Sequence, residues 1–368
     1  MNLFSYVDKY GNSSFEEMPF NEVDNAIFSS LSYVSLYGIV PSNRYNKIKI
    51  REASDKYFSM YPSKQKYIWA VKYAVKLFKA ISNTRRYGDL YLYNYVYESN
   101  DEKQFSAVTI EISPKLLYVS FEGTDHLVSG WKEDFMMTYK FPVASQKKAI
   151  DYINRRFIFE RKEIILGGHS KGGNLAMVAG MYANIFVRNK IIKIYNNDGP
   201  GLLKEYYESR EYDRIRGKLI SIIPNYSVVG LLLYHDNDYV VVKSAKKGAM
   251  AHDIHIWVVD DKSFMRAELD HYSKTFEVKI INWLNKYTKL ERKRFVFAMF
   301  DIFSKVGVES LMDIVENKMI IFSLIYKSKE LDDVDKKMLK DFIGMLFDSF
   351  KEIKLDDFNK LIEKIVKV

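Results

Sequence analysis

Gly168-His169-Ser170-Lys171-Gly172 sets a serine hydroxyl between two glycines. Residues 162–167 before it read as a short buried strand, and residues 173–182 after it read as a helix. A strand-to-helix turn this tight leaves no room for a β-carbon at either flanking position, which accounts for the glycines. The turn would hold the Ser170 hydroxyl exposed at the carboxyl edge of a sheet. Just beyond lie the free N–H groups of a helix N-terminus, which favour negative charge. The chemistry open to such a serine is acyl transfer.

Acyl transfer also needs a base, an acid to orient it and donors for the oxyanion. On a strand-turn-helix scaffold of this kind the chain order is Ser, acid, His. Of the six histidines, His126 precedes the serine, His169 is the spacer within the motif, and His271 falls in a helical pattern. His235, His252 and His255 remain. His252 follows a glycine-containing loop, residues 246–251, just after the last strand-like run, and is the expected base. His255 opens an apolar segment and is the alternative. For the acid, the turn after the strand-like run 219–223 reads Pro-Asn-Tyr-Ser and holds no carboxylate. One strand earlier, Asp198-Gly199-Pro200-Gly201 presents an aspartate at a strand end on a turn that would fix its direction. Asp198 is therefore the expected acid, with Asp236 and Asp238 as alternatives. Asp253 adjoins His252, and neighbouring side chains seldom face each other. The oxyanion donors are expected from the N–H of Lys171 and from Thr124, in the Glu122-Gly123-Thr124-Asp125 turn after a second strand. Thr124 has both an N–H and a hydroxyl to offer.

The elements that must carry these residues alternate. Strand-like runs at 90–98, 105–112, 116–121, 191–195, 219–223 and 239–243 are interleaved with helical patterns at 146–159 and 173–182. Helical spacing also marks 21–37 and 64–85, with a turn at 101–103. This implies an α/β protein with a mostly parallel central sheet covered on both faces, preceded by N-terminal helices. The run 116–121 is the most continuously apolar and should be central. From about residue 266 the pattern becomes helical, with helices expected over 273–287, 290–304, 307–326, 332–350 and 356–367. Residues 1–265 thus form the catalytic part and 266–368 a C-terminal helical appendage.

Composition narrows the classes further. A chain of 368 residues, 48% hydrophobic, can bury a large core. The absence of cysteine excludes disulfides, thiolate nucleophiles and Cys-based zinc sites, and no metal or cofactor is expected. The first residues lack a signal-peptide pattern, and no apolar run approaches the ~20 residues that span a bilayer. The expectation is a cytoplasmic protein. The net charge of +9 comes from lysines interleaved with acids and without a nucleic-acid motif. It reads as a solvated basic surface, with attraction to an anionic membrane as a secondary option.

Taken together, Phe121-Glu122-Gly123-Thr124-Asp125, Gly130-Trp131-Lys132-Glu133-Asp134-Phe135 and Gly168-His169-Ser170-Lys171-Gly172-Gly173 resemble the layout of the lipase class 3 hydrolases. The match extends to the bacterial Mbeg-like family of lipase-like proteins. It does so through residues 14–24, 168–176, 198–201 and 227–230, and through Val242-Lys243-Ser244, His252-Asp253 and Trp257. The resemblance implies an α/β-hydrolase fold, Ser170 as nucleophile, His252 as base and Thr124 as an oxyanion residue. It implies an ester or lipid substrate. Glu122 stands where the lipases carry arginine, and the lipase acid position falls near Ser227. Against a serine ester hydrolase stands one other reading, a catalytically silent hydrolase fold that binds a protein partner or an anionic membrane.

Overall fold

The computed structural model describes residues 1–61, 69–100, 103–124, 128–308 and 318–350. Among them one sheet of eight strands runs in sequence order. The strands are β1 (Ile48–Lys49), β2 (Tyr91–Asn100), β3 (Lys103–Ser113), β4 (Leu116–Phe121), β5 (Glu163–His169), β6 (Ile191–Asn197), β7 (Leu219–Pro224) and β8 (Val240–Val242). β1 to β4 pair antiparallel. β4 to β8 pair parallel, joined by α-helical crossovers up to β7 and by a loop with a 3-10 turn from β7 to β8. This is the α/β-hydrolase arrangement, with the apolar run 116–121 at its centre.

The period of two along each strand divides the core into two layers. Leu117, Val119 and Phe121 of β4 and Ile164 and Leu166 of β5 pack beneath the helices Ala144–Arg156 and Lys171–Met181. Tyr118 and Ile165, one residue out of phase, face the N-terminal helices Leu3–Tyr10, Glu22–Leu31 and Trp69–Ser82. These helices are anchored by a buried ion pair in which Arg86 Nη2 lies 2.6 Å from Asp24 Oδ2, both side chains fully enclosed. Asp24 also closes the capping box of its own helix. Asp24, the last residue of the 14–24 segment, therefore serves the fold.

A third apolar cluster collects Trp283, Phe295, Phe300 and Met338 from the C-terminal helices His271–Lys286, Lys289–Val306 and Asp333–Phe350. Ile223 at the end of β7 and Leu231 join it from the sheet side. Phe135, on the helix Val128–Met136, meets Phe300 and Phe342 edge-on.

Two helix boundaries differ from the sequence pattern. The helix expected over 21–37 stops at Leu31, because Ser32 turns its hydroxyl to Ser29 O (2.8 Å) and Phe121 O (3.2 Å). Gly307 does not open a helix; it ends the preceding one in the left-handed conformation (φ 78°), as a glycine past a helix C-terminus does. The expected helix 356–367, the turn at 101–102, residues 62–68 and 309–317, and His126 lie outside the described residues.

Candidate active site

The parallel register brings the ends of β4, β5, β6 and β7 to one edge. Phe121 pairs with Gly168, His169 with Asn197, and Asn197 with Ile222. The Thr124 loop, Ser170, Asp198 and the Ser227 turn therefore leave the sheet side by side. Ser170 sits between β5 and the helix Lys171–Met181 with φ 58° and ψ −133°. A non-glycine residue held there stores roughly 1–3 kcal/mol of backbone strain. Its N–H donates to Asn197 O (2.9 Å), and its side chain remains partly exposed. A β-carbon at Gly168 would lie 2.3 Å from the Gly172 backbone, and one at Gly172 would lie 2.2 Å from Phe121 O. Both glycines are steric requirements of the turn.

Asp198, fully buried with φ 49°, places Oδ2 2.6 Å from His252 Nδ1. Its Oδ1 accepts the Ser227 hydroxyl (2.5 Å) and the Gly230 N–H (3.1 Å). Both carboxylate oxygens are thus satisfied, as a buried carboxylate requires. Ser227, at the position where the resemblance to lipases puts the acid, here donates to an acid one strand away. Gly230 has to be glycine, since a β-carbon would lie 2.4 Å from Asp198 Oδ1. With Nδ1–H committed to Asp198, Nε2 is the His252 nitrogen left to exchange a proton.

The alternatives lie elsewhere. Asp236 accepts the hydroxyls of Tyr207 (3.0 Å) and Tyr212 (2.8 Å). Asp238 has no bond to His252 among the described residues, and His235 faces Glu277 at 3.6 Å. His271 is the first residue of its helix. His255 is buried between Asp253 and Ser30, in a short 3-10 turn and not in the half-buried strand that its apolar neighbours suggested.

Two residues near His252 escaped the sequence reading. His169 Nε2 lies 2.7 Å from the backbone oxygen of His252, and its Nδ1 lies 3.0 Å from Tyr33 Oη. Burial holds the His169 pKa well below its ordinary value, with the charge of His252 acting in the same direction. The ring is therefore neutral: Nε2–H donates to the carbonyl and Nδ1 accepts from Tyr33. Burial also pushes the Tyr33 hydroxyl well up, so it keeps its proton. The motif's spacer is thus a link between the serine turn and the loop that carries His252. No local pattern marks Tyr33.

At the oxyanion side, Lys171 is the first helical residue, so its N–H has no partner within the helix. Thr124 differs from the expectation of a free hydroxyl: Oγ1 donates to Asp134 Oδ2 at 2.6 Å, which leaves the Thr124 N–H as the donor on offer. Asp134 Oδ1 is sealed from solvent with no hydrogen-bond partner among the described residues. Burial raises the Asp134 pKa to about 6, against the opposing pull of the Lys171 charge. The Lys171 side chain is itself enclosed, its Nζ 3.4 Å from Glu133 Oε2, and Glu133 Oε1 accepts the Ser145 N–H at 2.7 Å. The Trp131-Lys132-Glu133-Asp134 segment thus brings two carboxylates to the residue after the serine.

No helix among the described residues is long and apolar enough to cross a membrane. Two solved structures are similar in outline, both lipases. The M37 lipase is 13% identical, with 58% of this chain and 70% of that chain covered and a TM-score of 0.37. The Rhizomucor miehei lipase in its propeptide complex is 10% identical, with 66% and 80% covered and a TM-score of 0.37. No curated protein matches the chain. A family model described as Mbeg1-like matches residues 81–301, more than half of the sequence, including the strand ends that carry Thr124, Ser170 and Asp198 and the loop that carries His252. The chain belongs to the Mbeg1-like family.

Proposed function

We propose that this protein is a serine ester hydrolase acting through an acyl-enzyme on Ser170. The observation that carries the reading is the combination of a strained, partly exposed serine at a helix N-terminus with the satisfied Asp198 carboxylate on the neighbouring strand end, bonded to His252 in the loop after β8. In the first step Ser170 Oγ bonds to the acyl carbon while His252 Nε2 takes the hydroxyl proton. The carbonyl oxygen becomes an oxyanion facing the N–H groups of Lys171 and Thr124. On collapse the ester C–O bond breaks, and the departing alkoxide takes the proton from His252. Water then enters by the same route in reverse and releases the acid. Asp198 holds the imidazole in the tautomer this requires. Trp131, Phe135 and Met136, half-buried on the helix Val128–Met136, supply apolar surface for an acyl chain. The substrate class is an acyl ester, lipids included.

The test is covalent labelling of the purified full chain with a fluorophosphonate probe, beside Ser170→Ala and His252→Ala. Labelling of the wild type that is lost in both variants is the expected result. A folded wild type that does not label sinks the reading and leaves a hydrolase fold used as a binding protein.

A further inference from the structure

The edge of the parallel sheet opposite the candidate site carries an unusual surface. Two segments meet there, residues 154–160 before β5 and residues 182–190 before β6. Asn154 stitches them together: its Oδ1 accepts the Asn184 N–H (2.7 Å) and its Nδ2 donates to Tyr182 O (3.1 Å). On the other side Lys190 Nζ donates to Ile158 O at 3.3 Å. Each segment carries an Ile–Phe pair turned to solvent. Phe159 is 77% exposed and Phe186 65%, with Ile158 and Ile185 exposed beside them. Adjoining exposed aromatic and branched side chains of this kind, unlike apolar side chains scattered singly, are the mark of an interaction surface.

The charges around these tips are of one dominant sign. Arg155, Arg161 and Lys193 are exposed, and none of them forms an ion pair among the described residues. Arg188 and Lys190 spend donors on backbone carbonyls and keep their charge. The acids in and beside these segments are Asp151 and Glu163, both exposed, and Glu160, whose carboxylate accepts the N–H groups of Arg161 (2.8 Å) and Lys162 (3.1 Å). The five cations outnumber them. Side chains that protrude this far from a turn and from a helix of four residues are wedges, and offer no groove to a partner's side chains. Apolar wedges inside a basic ring match the two layers of an anionic bilayer surface: acyl carbon for the tips and phosphate or carboxylate headgroups for the cations.

We propose that this edge docks the protein on an anionic lipid bilayer, with Ile158, Phe159, Ile185 and Phe186 entering the interface and the surrounding Arg and Lys residues meeting the headgroups. The sheet strands stand between this surface and Ser170, so a docked molecule holds its candidate catalytic edge roughly 20 Å from the bilayer, the length of one strand. The proposal does not depend on Ser170 chemistry.

The experiment is co-sedimentation of the full chain with phosphatidylcholine vesicles and with vesicles that also contain phosphatidylserine, at low and high salt. Phe159→Ser/Phe186→Ser and Arg155→Gln/Arg161→Gln/Lys193→Gln are run alongside, and circular dichroism and sedimentation velocity are recorded for every variant. All five positions are exposed, so the fold should survive. The expected result is binding to the phosphatidylserine vesicles that weakens at least about tenfold at high salt. Each variant should lower it by about tenfold or more. Three outcomes overturn the proposal: no binding to anionic vesicles, equal binding to both vesicle types, or binding that neither variant changes. A dimer that dissociates in the Phe variant also overturns it, by assigning the surface to a second copy of the chain.

Discussion

Two Ser–His–Asp constellations lie in the same chain, and they differ in instructive ways. One is Ser170, His252 and Asp198. The other is Ser30, His255 and Asp253, where Ser30 Oγ lies 2.6 Å from His255 Nε2 and His255 Nδ1 lies 2.6 Å from Asp253 Oδ1. The two His–Asp pairs have the same length. The histidines and acids differ: His252 is 27% exposed and His255 3%, and Asp198 has both oxygens bonded while Asp253 Oδ2 has no partner among the described residues. The largest difference lies at the serine, where Ser30 bonds His255 directly and Ser170 makes no hydrogen bond to His252. Ser30 sits inside the helix Glu22–Leu31 with ordinary helical backbone and is fully buried, and Tyr73 stacks on His255 at 5.7 Å. The N–H groups following it are spent within the helix, so no oxyanion site adjoins it. Ser170 has a strained backbone, partial exposure and an unspent N–H one residue on. If Ser170 is the nucleophile proposed above, its backbone and surroundings make it one, because a charge-oriented histidine alone makes only a bolt. The Ser30 set ties the loop carrying His252 to the N-terminal helix.

The comparison breaks most visibly if the serines are exchanged as targets. Ser170→Ala should abolish fluorophosphonate labelling. Ser30→Ala should keep labelling and lose about 1–3 kcal/mol of stability, read by urea unfolding, because His255 Nε2 is left buried without a partner. Labelling that depends on Ser30 would invert the assignment. The acids provide the next contrast. Asp198→Asn should lower turnover of an activated ester about 10⁴-fold, since the wrong imidazole tautomer is then held toward the serine. Asp253→Asn should act on unfolding and leave turnover within about tenfold of wild type. Equal losses in turnover would mean that His255 takes part in the chemistry.

A smaller effect follows from Asp134. Its pKa rises from 3.8 to about 6 in the folded protein, so between those values the folded state binds more protons than the unfolded one. Stability from this group is complete below about pH 4 and is lost as pH climbs past about 6, amounting to about 3 kcal/mol. Asp134→Asn removes that component. The difference in unfolding free energy, wild type minus variant, should therefore fall across this window. A flat difference would show that the carboxylate beside Thr124 is solvated, and the enclosed Lys171–Glu133–Asp134 group would lose its distinction from surface acids.

What could be read in advance followed the range of the interaction. Ser170 and its glycines announce themselves within five residues because the steric demand of the turn is local. The pairing of Asp198 with His252 could be expected because strand order along a parallel sheet fixes which chain ends are neighbours, and the Gly-Pro-Gly turn lies beside it in sequence. Ser227 and Gly230 were visible as a motif but not as donors to Asp198, a pairing set by the register of β6 against β7. Tyr33 could not be read at all. It lies outside the family match, in a stretch that looks like continuous helix, and its partner is 136 residues away. The break in that helix at Ser32 lets Tyr33 reach His169, and nothing in the spacing of apolar residues encodes it.

The finest distinction between the two constellations therefore rests on Tyr33. Its hydroxyl gives His169 Nδ1 a donor and so keeps the ring proton on Nε2, where it bonds the His252 carbonyl. Tyr33→Phe removes the donor from a buried, neutral ring. The proton can then move to Nδ1, and Nε2 would turn a lone pair toward the His252 oxygen. The loss is about 1 kcal/mol, so labelling at Ser170 should slow roughly fivefold in the bond-forming step, with probe binding unchanged. Addition of His169→Asn should cost little more, because the two residues act as one link. Ser30→Ala supports the same loop from its other end without touching the His252 carbonyl, and should leave the rate alone. If Tyr33→Phe and Ser30→Ala slowed labelling equally, the base loop would be held as one rigid body. The two Ser–His–Asp sets would then be parts of a single support, with no separate role for the His169 link.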